Sequence, residues 1–476
     1  MPPDHGSVFQ ILPGVQSYDW GMKRSSRVAT FAKATSQLDF DFQPDRPYAE
    51  LWMGTHPSLP SRVIPPPWSS TATPSSSEFQ PLSSYLASNP HLIGEKVLEK
   101  FSSQQGTNLS LPFLFKVLSV GKALSIQAHP DKRLGKELHE KRPEIYKDPN
   151  HKPEMAIALT PFSGFCGFRP LQEILGFLKR VPELERLVSL DQGTVEAAER
   201  AVERNEDKAL RSSLKLIFGR LMRSKEEEYT LQAQSLVRRY STDEGWRQEV
   251  DPEVRERVLS LNEQFPNDIG IFCTFLLNTV KLKPGEALFL GANEPHAYLE
   301  GEILECMAES DNVVRAGLTP KLRDVETLVE MLTYSSGDRV GRLQGEPPAT
   351  WMVKSSERGG EDDDEDDAKT LMFDPPIEEF SVLVSRIRAG EHEDHEAIQG
   401  PSILLHLQGQ GKIEFEDEGE KEEDEKGQSE NRRREFQLDE TKPGKVFFIG
   451  SSKPIRLVSS SLGGAELVVA RAFVVV

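Results

Sequence analysis

The chain has 476 residues, enough for two or three domains and a large core. Its formal net charge of −19 lacks the basic footprint that nucleic acid or an anionic membrane needs, so neither is an expected partner. No apolar run nears the ~20 residues of a membrane span, the first residues lack a signal-peptide pattern, and three cysteines without CxxC spacing fit a reducing cytosol, so a cytoplasmic protein is expected.

The acidity is local. Residues 361–367 are seven consecutive acids, and 416–425 hold eight acids against one lysine, so each run nets −7. Such runs predict solvated, disordered loops, near 356–369 and 416–434. Arg432-Arg433-Arg434 follows the second run and is expected to balance it.

Residues 8–165 are rich in Gly, Pro and aromatics with short apolar runs. The run at 111–118 predicts a buried strand, and 123–129 the next, with a turn between them. Residues 69–77 are Ser, Thr and Pro rich and predict a loop. Near Pro170 the pattern changes. Leu171, Ile174, Leu175 and Leu178 repeat with helical spacing, as do Leu210, Leu214, Ile217, Phe218 and Leu221. A helical block is expected over 169–265. Strand character returns at Phe272 and runs on to about 335, where residues 324–332 predict a helix capped by Asp324. Four short β-like runs follow, at 380–384, 403–407, 446–449 and 466–476, separated by turns. Lys442-Pro443-Gly444 leads into one of them as Lys283-Pro284-Gly285 leads into an earlier one, which hints at two related β units. The expected architecture is mainly β with a helical insertion: two barrels plus an α-helical domain. The first barrel is divided between 1–168 and 266–335, and the second covers 336–476.

Several residues carry possible chemistry. On a strand, Gln127 and His129 face the same side. Glu154 follows in His151-Lys152-Pro153-Glu154, and His296 comes much later. Two imidazoles, a carboxylate and an amide oxygen suit Zn²⁺ or a similar divalent ion. Each is equally readable as an ordinary polar residue, because no spacing rule joins such distant pieces. Arg315 and Lys321 flank a Gly317-to-Pro320 turn and suit a phosphate dianion, with surface cations as the plainer alternative. Trp52 is expected in the core, and Trp20 is either core or a sugar-stacking face.

At this point five ordered motifs resemble one family. They are Ser17-Tyr18-Asp19-Trp20-Gly21, the stretch from Ala49-Glu50-Leu51-Trp52 to Pro57, the stretch from Leu124-Ser125 to Lys132, His151-Lys152-Pro153-Glu154-Met155, and the stretch from Asn312 to Lys321. Together they look like type I mannose-6-phosphate isomerases, and the length and style suggest a fungal member. The resemblance implies cupin-type (jelly-roll) barrels and one Zn²⁺ per chain held by Gln127, His129, Glu154 and His296; the chain itself is expected to be a monomer. It implies interconversion of mannose 6-phosphate and fructose 6-phosphate through an enediolate, supplying mannose for GDP-mannose, glycosylation and cell-wall synthesis. Arg315 is implied as catalytic. Glu305 and Lys152 are candidate bases, and His151 a candidate for ring opening. Ser125 and Lys321 are candidates for the phosphate, and Trp20, Tyr298 and Asp311 for other substrate contacts. The alternatives are a non-catalytic sugar-phosphate-binding bicupin and a metal-dependent cupin oxygenase.

Overall fold

The computed structural model describes residues 6–35, 40–67, 79–101, 110–242, 245–337, 340–355, 370–423, 429–462 and 464–476. The first acidic segment expected to be disordered, 356–369, lies outside the described residues, as does the whole Ser/Thr/Pro loop at 69–77. The chain forms two compact units. One comprises Met1–Ser119, Leu304–Glu309 and Leu343–Val476; the other comprises Val120–Ile303 and Ser310–Arg342. This grouping differs from the division at 168, 265 and 335 read from the sequence. The cause is strand pairing. Val8–Leu12 lies antiparallel to Val446–Ile449, with Val8 opposite Ile449 and Ile11 opposite Val446.

Two antiparallel sheets lie wholly within the first unit. In the seven-stranded sheet the order is Thr370–Phe373, Ser381–Ile387, Leu467–Phe473, Ser402–Gln408, Val446–Ile449, Val8–Leu12, Arg62–Val63. In the five-stranded sheet it is Val353–Ser355, His392–His395, Ile455–Ser459, Gly411–Glu423, Ser429–Leu438. Both sheets are open paths that end on edge strands, which corrects the expectation of closed barrels. Alternation makes the layer between them: Ile455 and Leu457 are buried while Arg456 is exposed. Leu404, Phe447 and Val469 from one sheet pack with Ile413, Phe436 and Leu457 from the other.

The second acidic run departs from the loop expected over 416–434. Its backbone is strand on both sides of 424–428, as a long hairpin. The register puts Glu416 opposite Arg433 and Asp417 opposite Arg432, and Arg434 Nε lies 3.2 Å from Asp417 Oδ2. Cross-strand opposite charges supply the stabilisation that a bare acidic run lacks.

The second unit carries the long helical block, while the shorter helices Arg27–Thr35, Leu82–Ser88 and Glu95–Phe101 belong to the first. Leu171–Arg180, Asp207–Met222 and Pro252–Gln264 bury Leu171, Ile174, Leu214, Ile217, Phe218 and Leu261 in one core. Asp324 caps Val325–Met331, its carboxylate accepting from the Thr327 amide at 3.3 Å. Phe272, where strand character was expected to return, lies instead in the 3₁₀ helix Ile269–Phe275, and the strand starts at Leu277. The segment is wholly buried, and a continuous apolar run does not distinguish the two by periodicity. Asp268 decides it by accepting from the Gly270 amide at 2.6 Å. All three cysteines are buried and unbridged. Among the described residues no helix is long and apolar enough to cross a membrane.

The two Lys-Pro-Gly turns are alike in backbone. Gly285 has φ +88° and Gly444 has φ +110°, a region that L side chains rarely adopt. Their surroundings differ: a Cβ on Gly285 meets nothing within 4 Å, whereas one on Gly444 comes within 2.4 Å of Phe31 Cα. Gly285→Ala is therefore expected to cost about 1–2 kcal/mol from backbone strain alone. Gly444→Ala is expected to cost roughly 1–3 kcal/mol more from overpacking. Denaturant unfolding of the two variants checks the difference, and equal losses would show that the Phe31 contact yields freely.

Candidate metal centre

The centre is assembled in the second unit by strand register. Ile126–Ala128 lies between two antiparallel neighbours, and Gln127 is opposite both His296 and Arg315. Directly opposed residues share a face, so these three side chains form a row. His129, two residues after Gln127, continues on that side. Glu154 begins the strand Glu154–Ala158 and is opposite Leu290.

His129, Glu154 and His296 are 0%, 2% and 1% exposed. One ligand atom from each lies within 4.8 Å of the others. His129 Nε2 is 3.4 Å from Glu154 Oε1, and His296 Nε2 is 3.4 Å from Glu154 Oε2. The other ring nitrogens are occupied. His129 Nδ1 is 2.7 Å from the Asn312 carbonyl oxygen, and His296 Nδ1 is 2.9 Å from that of Glu294. A carbonyl only accepts, so each Nδ1 donates, and in the neutral ring that leaves Nε2 as the atom with the lone pair. Both Nε2 atoms and Glu154 Oε2 are buried without a hydrogen-bond partner.

Protonation states agree with this. Burial pushes His129 down to about 4, so its imidazole is neutral at pH 7. Burial opposes charge on Glu154, but Lys152 and the two imidazoles outweigh it and hold the carboxyl well below its usual range. Lys152 Nζ stands 3.0 Å from Glu154 Oε1. Neutral imidazoles and an ionised carboxylate are the forms that bind a metal. With the Gln127 amide in the same row, the donor set fits Zn²⁺.

Family models match the chain in three places: type I phosphomannose isomerase catalytic domain at residues 8–171, its helical insertion domain at 190–277, and its C-terminal domain at 370–417. The chain belongs to the type I phosphomannose isomerase family. It is 43% identical to a mannose-6-phosphate isomerase of Cryptococcus neoformans over 463 residues, covering 94% of this chain and 95% of that protein. It is 41% identical to the Saccharomyces cerevisiae enzyme of the same name, with 94% and 95% covered. Among solved structures, a zinc-bound mannose 6-phosphate isomerase superposes with a TM-score of 0.69 at 28% identity, covering 99% of this chain and 100% of that one.

The other residues singled out in the sequence are placed as follows. Arg315 is half-buried, and among the described residues no carboxylate or hydrogen bond engages its guanidinium; burial alone pulls its pKa down. Tyr298, two residues beyond His296, is buried, its ring 6.4 Å from that of His296. Ser125 is half-buried just before the Gln127 strand, and His151 is half-buried beside Lys152. Lys321 and Asp311 are exposed. Trp20 and Glu305 belong to the other unit. There Trp20 stacks on Tyr18 with ring centroids 5.8 Å apart. Glu305 Oε2 lies 3.1 Å from Lys116 Nζ, which also stands 3.5 Å from Glu50 Oε2. This buried Glu50-Lys116-Glu305 group was not singled out from the sequence. Its members are far apart in the chain, and only Glu50 fell inside a recognised motif.

Sequence reasoning also missed what holds the family's ligand loops. The Asn312 side chain, on a residue 1% exposed, donates to the carbonyls of Asp148 at 2.6 Å and Asn150 at 2.9 Å. The Asp148 carboxylate accepts from Ser310 Oγ and from the Asp311 amide, each at 2.8 Å. One clamp thus joins the segment leading to Lys152 and Glu154 with the segment leading to Arg315, while the Asn312 carbonyl orients His129. Outer-shell partners of this kind are worth roughly 10–100-fold in metal affinity. Asn312→Ala is expected to weaken zinc binding by about that factor, measured by competition with a chromophoric chelator. Unchanged affinity would show that the loops hold their places without the clamp.

Proposed function

We propose that this chain interconverts D-mannose 6-phosphate and D-fructose 6-phosphate, using one zinc ion held by Gln127, His129, Glu154 and His296. The observation that carries this reading is the row of Gln127, His296 and Arg315 beside two buried, unsatisfied Nε2 atoms. Bound zinc supplies Lewis acidity that makes the proton next to the sugar carbonyl removable.

The remaining work falls to side chains. A base takes the C2 proton of the open-chain aldose, leaving an enediolate. Return of a proton at C1, with proton exchange between the two oxygens, converts the C1 carbonyl to a hydroxyl and the C2 hydroxyl to a carbonyl. Arg315, which has no competing carboxylate partner among the described residues, is assigned to the charge that develops on the substrate. Lys152 and Glu305 are the proposed bases. Each is held by an opposite charge, Lys152 by Glu154 and Glu305 by Lys116. His151 is assigned to ring opening, Ser125 and Lys321 to the phosphate, and Trp20, Tyr298 and Asp311 to the rest of the substrate. Anchoring the phosphate fixes the reacting carbons relative to the base.

The facing antiparallel sheets of the first unit are consistent with a cupin-type jelly roll, and three buried free thiols with a cytoplasmic, reducing setting. A role in supplying mannose for GDP-mannose and glycosylation follows from the reaction. A storage-type bicupin has no need of an unpaired half-buried arginine beside a complete donor set.

A coupled assay for fructose 6-phosphate, before and after chelation and zinc add-back, tests the reading. Activity is expected to vanish with chelator and to return with Zn²⁺; inactivity of folded, zinc-loaded protein would overturn the proposal. Arg315→Ala is expected to lower kcat by roughly 10²–10³-fold, the range for loss of a preorganised donor, with zinc content unchanged. Loss of zinc in that variant would make Arg315 structural instead.

A further inference from the structure

The interior of the first unit holds a charged group that the isomerase reading does not use. Arg471 lies on Leu467–Phe473, a central strand of the seven-stranded sheet, opposite Leu383 on one side and Leu404 on the other. It is 1% exposed. Leu383 belongs to one apolar cluster and Leu404 to another, so the guanidinium sits between two greasy regions. Among the described residues its one partner is Ser402, whose Oγ accepts from Nε at 2.9 Å. Among the described residues, Nη1 is buried without a partner and no carboxylate lies within ion-pair distance. Burial alone pulls the guanidinium down to about 9.

More polar groups gather on the facing sheet and the neighbouring strands. His395 is 1% exposed, its Nε2 lies 3.1 Å from Ser385 Oγ, and its Nδ1 is buried and unpartnered. Burial holds this imidazole below its usual range, with Glu393 opposing that direction and Arg471 reinforcing it, so the guanidinium and the imidazole feel each other. Thr370 Oγ1 donates to Glu393 Oε2 at 2.6 Å and lies 2.8 Å from Ser385 Oγ. Glu393 is thus spoken for by Thr370 and His395 and does not neutralise Arg471. An uncompensated buried charge is costly, and buried polar atoms are nearly always paired.

We propose that this sandwich binds a small, singly charged oxyanion against Arg471, with His395 and Ser402 as neighbouring polar contacts. The guanidinium fork matches the oxygens of phosphate or carboxylate. The nearby Glu393 carboxylate favours a monoanion, such as dihydrogen phosphate or formate, over a dianion. The site is separate in residues from the metal centre, and it makes the stability of the C-terminal sheets depend on an anion.

The test uses the full, zinc-loaded chain in buffer whose ionic strength is held constant with chloride. Phosphate and formate are titrated separately while the Tm is followed. The wild type is expected to show a saturable rise with at least one of them, and the responding anion distinguishes the phosphate from the carboxylate source. Arg471→Met is expected to lose that rise while keeping isomerase activity. Equal rises in both proteins, or none in the wild type, overturn the proposal. Should Arg471→Met fail to fold, crystals of the wild type soaked in arsenate decide the matter. An anomalous peak within hydrogen-bond distance of Arg471 Nη1 supports the site, and its absence at full soak concentration overturns it.

Discussion

The hydrogen bonds from His129 Nδ1 to the Asn312 carbonyl and from His296 Nδ1 to the Glu294 carbonyl determine what the buried centre can do. They fix both tautomers, so the two Nε2 lone pairs face Glu154 rather than a water-filled surface. Two lone pairs and a carboxylate gathered in a dry interior repel one another, and the Lys152 ammonium beside Glu154 Oε1 leaves both Nε2 atoms and Glu154 Oε2 without a donor among the described residues. A cation is the simplest species that satisfies all of them together. The tautomers are set by main chain, which is why the loops at 293–294 and 310–312 matter as much as the ligands. Asn293 itself is held at φ +63°, with its amide donating to the His129 carbonyl at 2.7 Å. Each histidine's placement is therefore checked from both sides of the site.

Charge balance then points to the substrate class. Glu154 is the one carboxylate in the donor set, and Lys152 already pairs with it. Arg315 adds a second positive charge without a partner among the described residues. A divalent ion held there leaves the centre with excess positive charge in a poorly hydrated setting. A neutral sugar gains little from such a field. A sugar phosphate, and an enediolate above all, gains a great deal. The electrostatics thus agree with the family assignment independently of the sequence likeness.

The sequence displayed local features and hid the long-range ones. Leu171, Ile174 and Leu178 announced a helix because one face alone must be buried, and the structure places all three in the core. Gln127 and His129 were legible as a same-face pair because strand periodicity is exact. That Gln127 would stand opposite both His296 and Arg315 was not legible, since pairing register between segments some 170 residues apart has no local signature. The same holds for Asn312 with Asp148 and for Lys116 with Glu305. The 3₁₀ helix at Ile269–Phe275 was missed because a fully buried run carries no periodicity. The hairpin through the second acidic run was missed because charge content was weighed without cross-strand partners, although Arg432-Arg433-Arg434 stood in view. The open sheets were missed because short strands at regular spacing predict a sandwich as readily as a closed barrel.

Buried cations make the last comparison. Lys116 is enclosed by two carboxylates, Glu50 and Glu305, and lies over the Trp52 ring at 4.9 Å. Its charge is more than matched by these two carboxylates. Arg315 is half-buried and uncompensated, in a place where substrate charge is expected. Arg471 is more deeply buried than Arg315 or Lys116, and among the described residues its one hydrogen-bond partner is a neutral hydroxyl. If burial of charge were tolerated here for its own sake, the three would be compensated alike. They are not. The buried lysine meets its counter-charges within the chain, whereas among the described residues the two arginines meet none, which leaves a partner from solution to balance them.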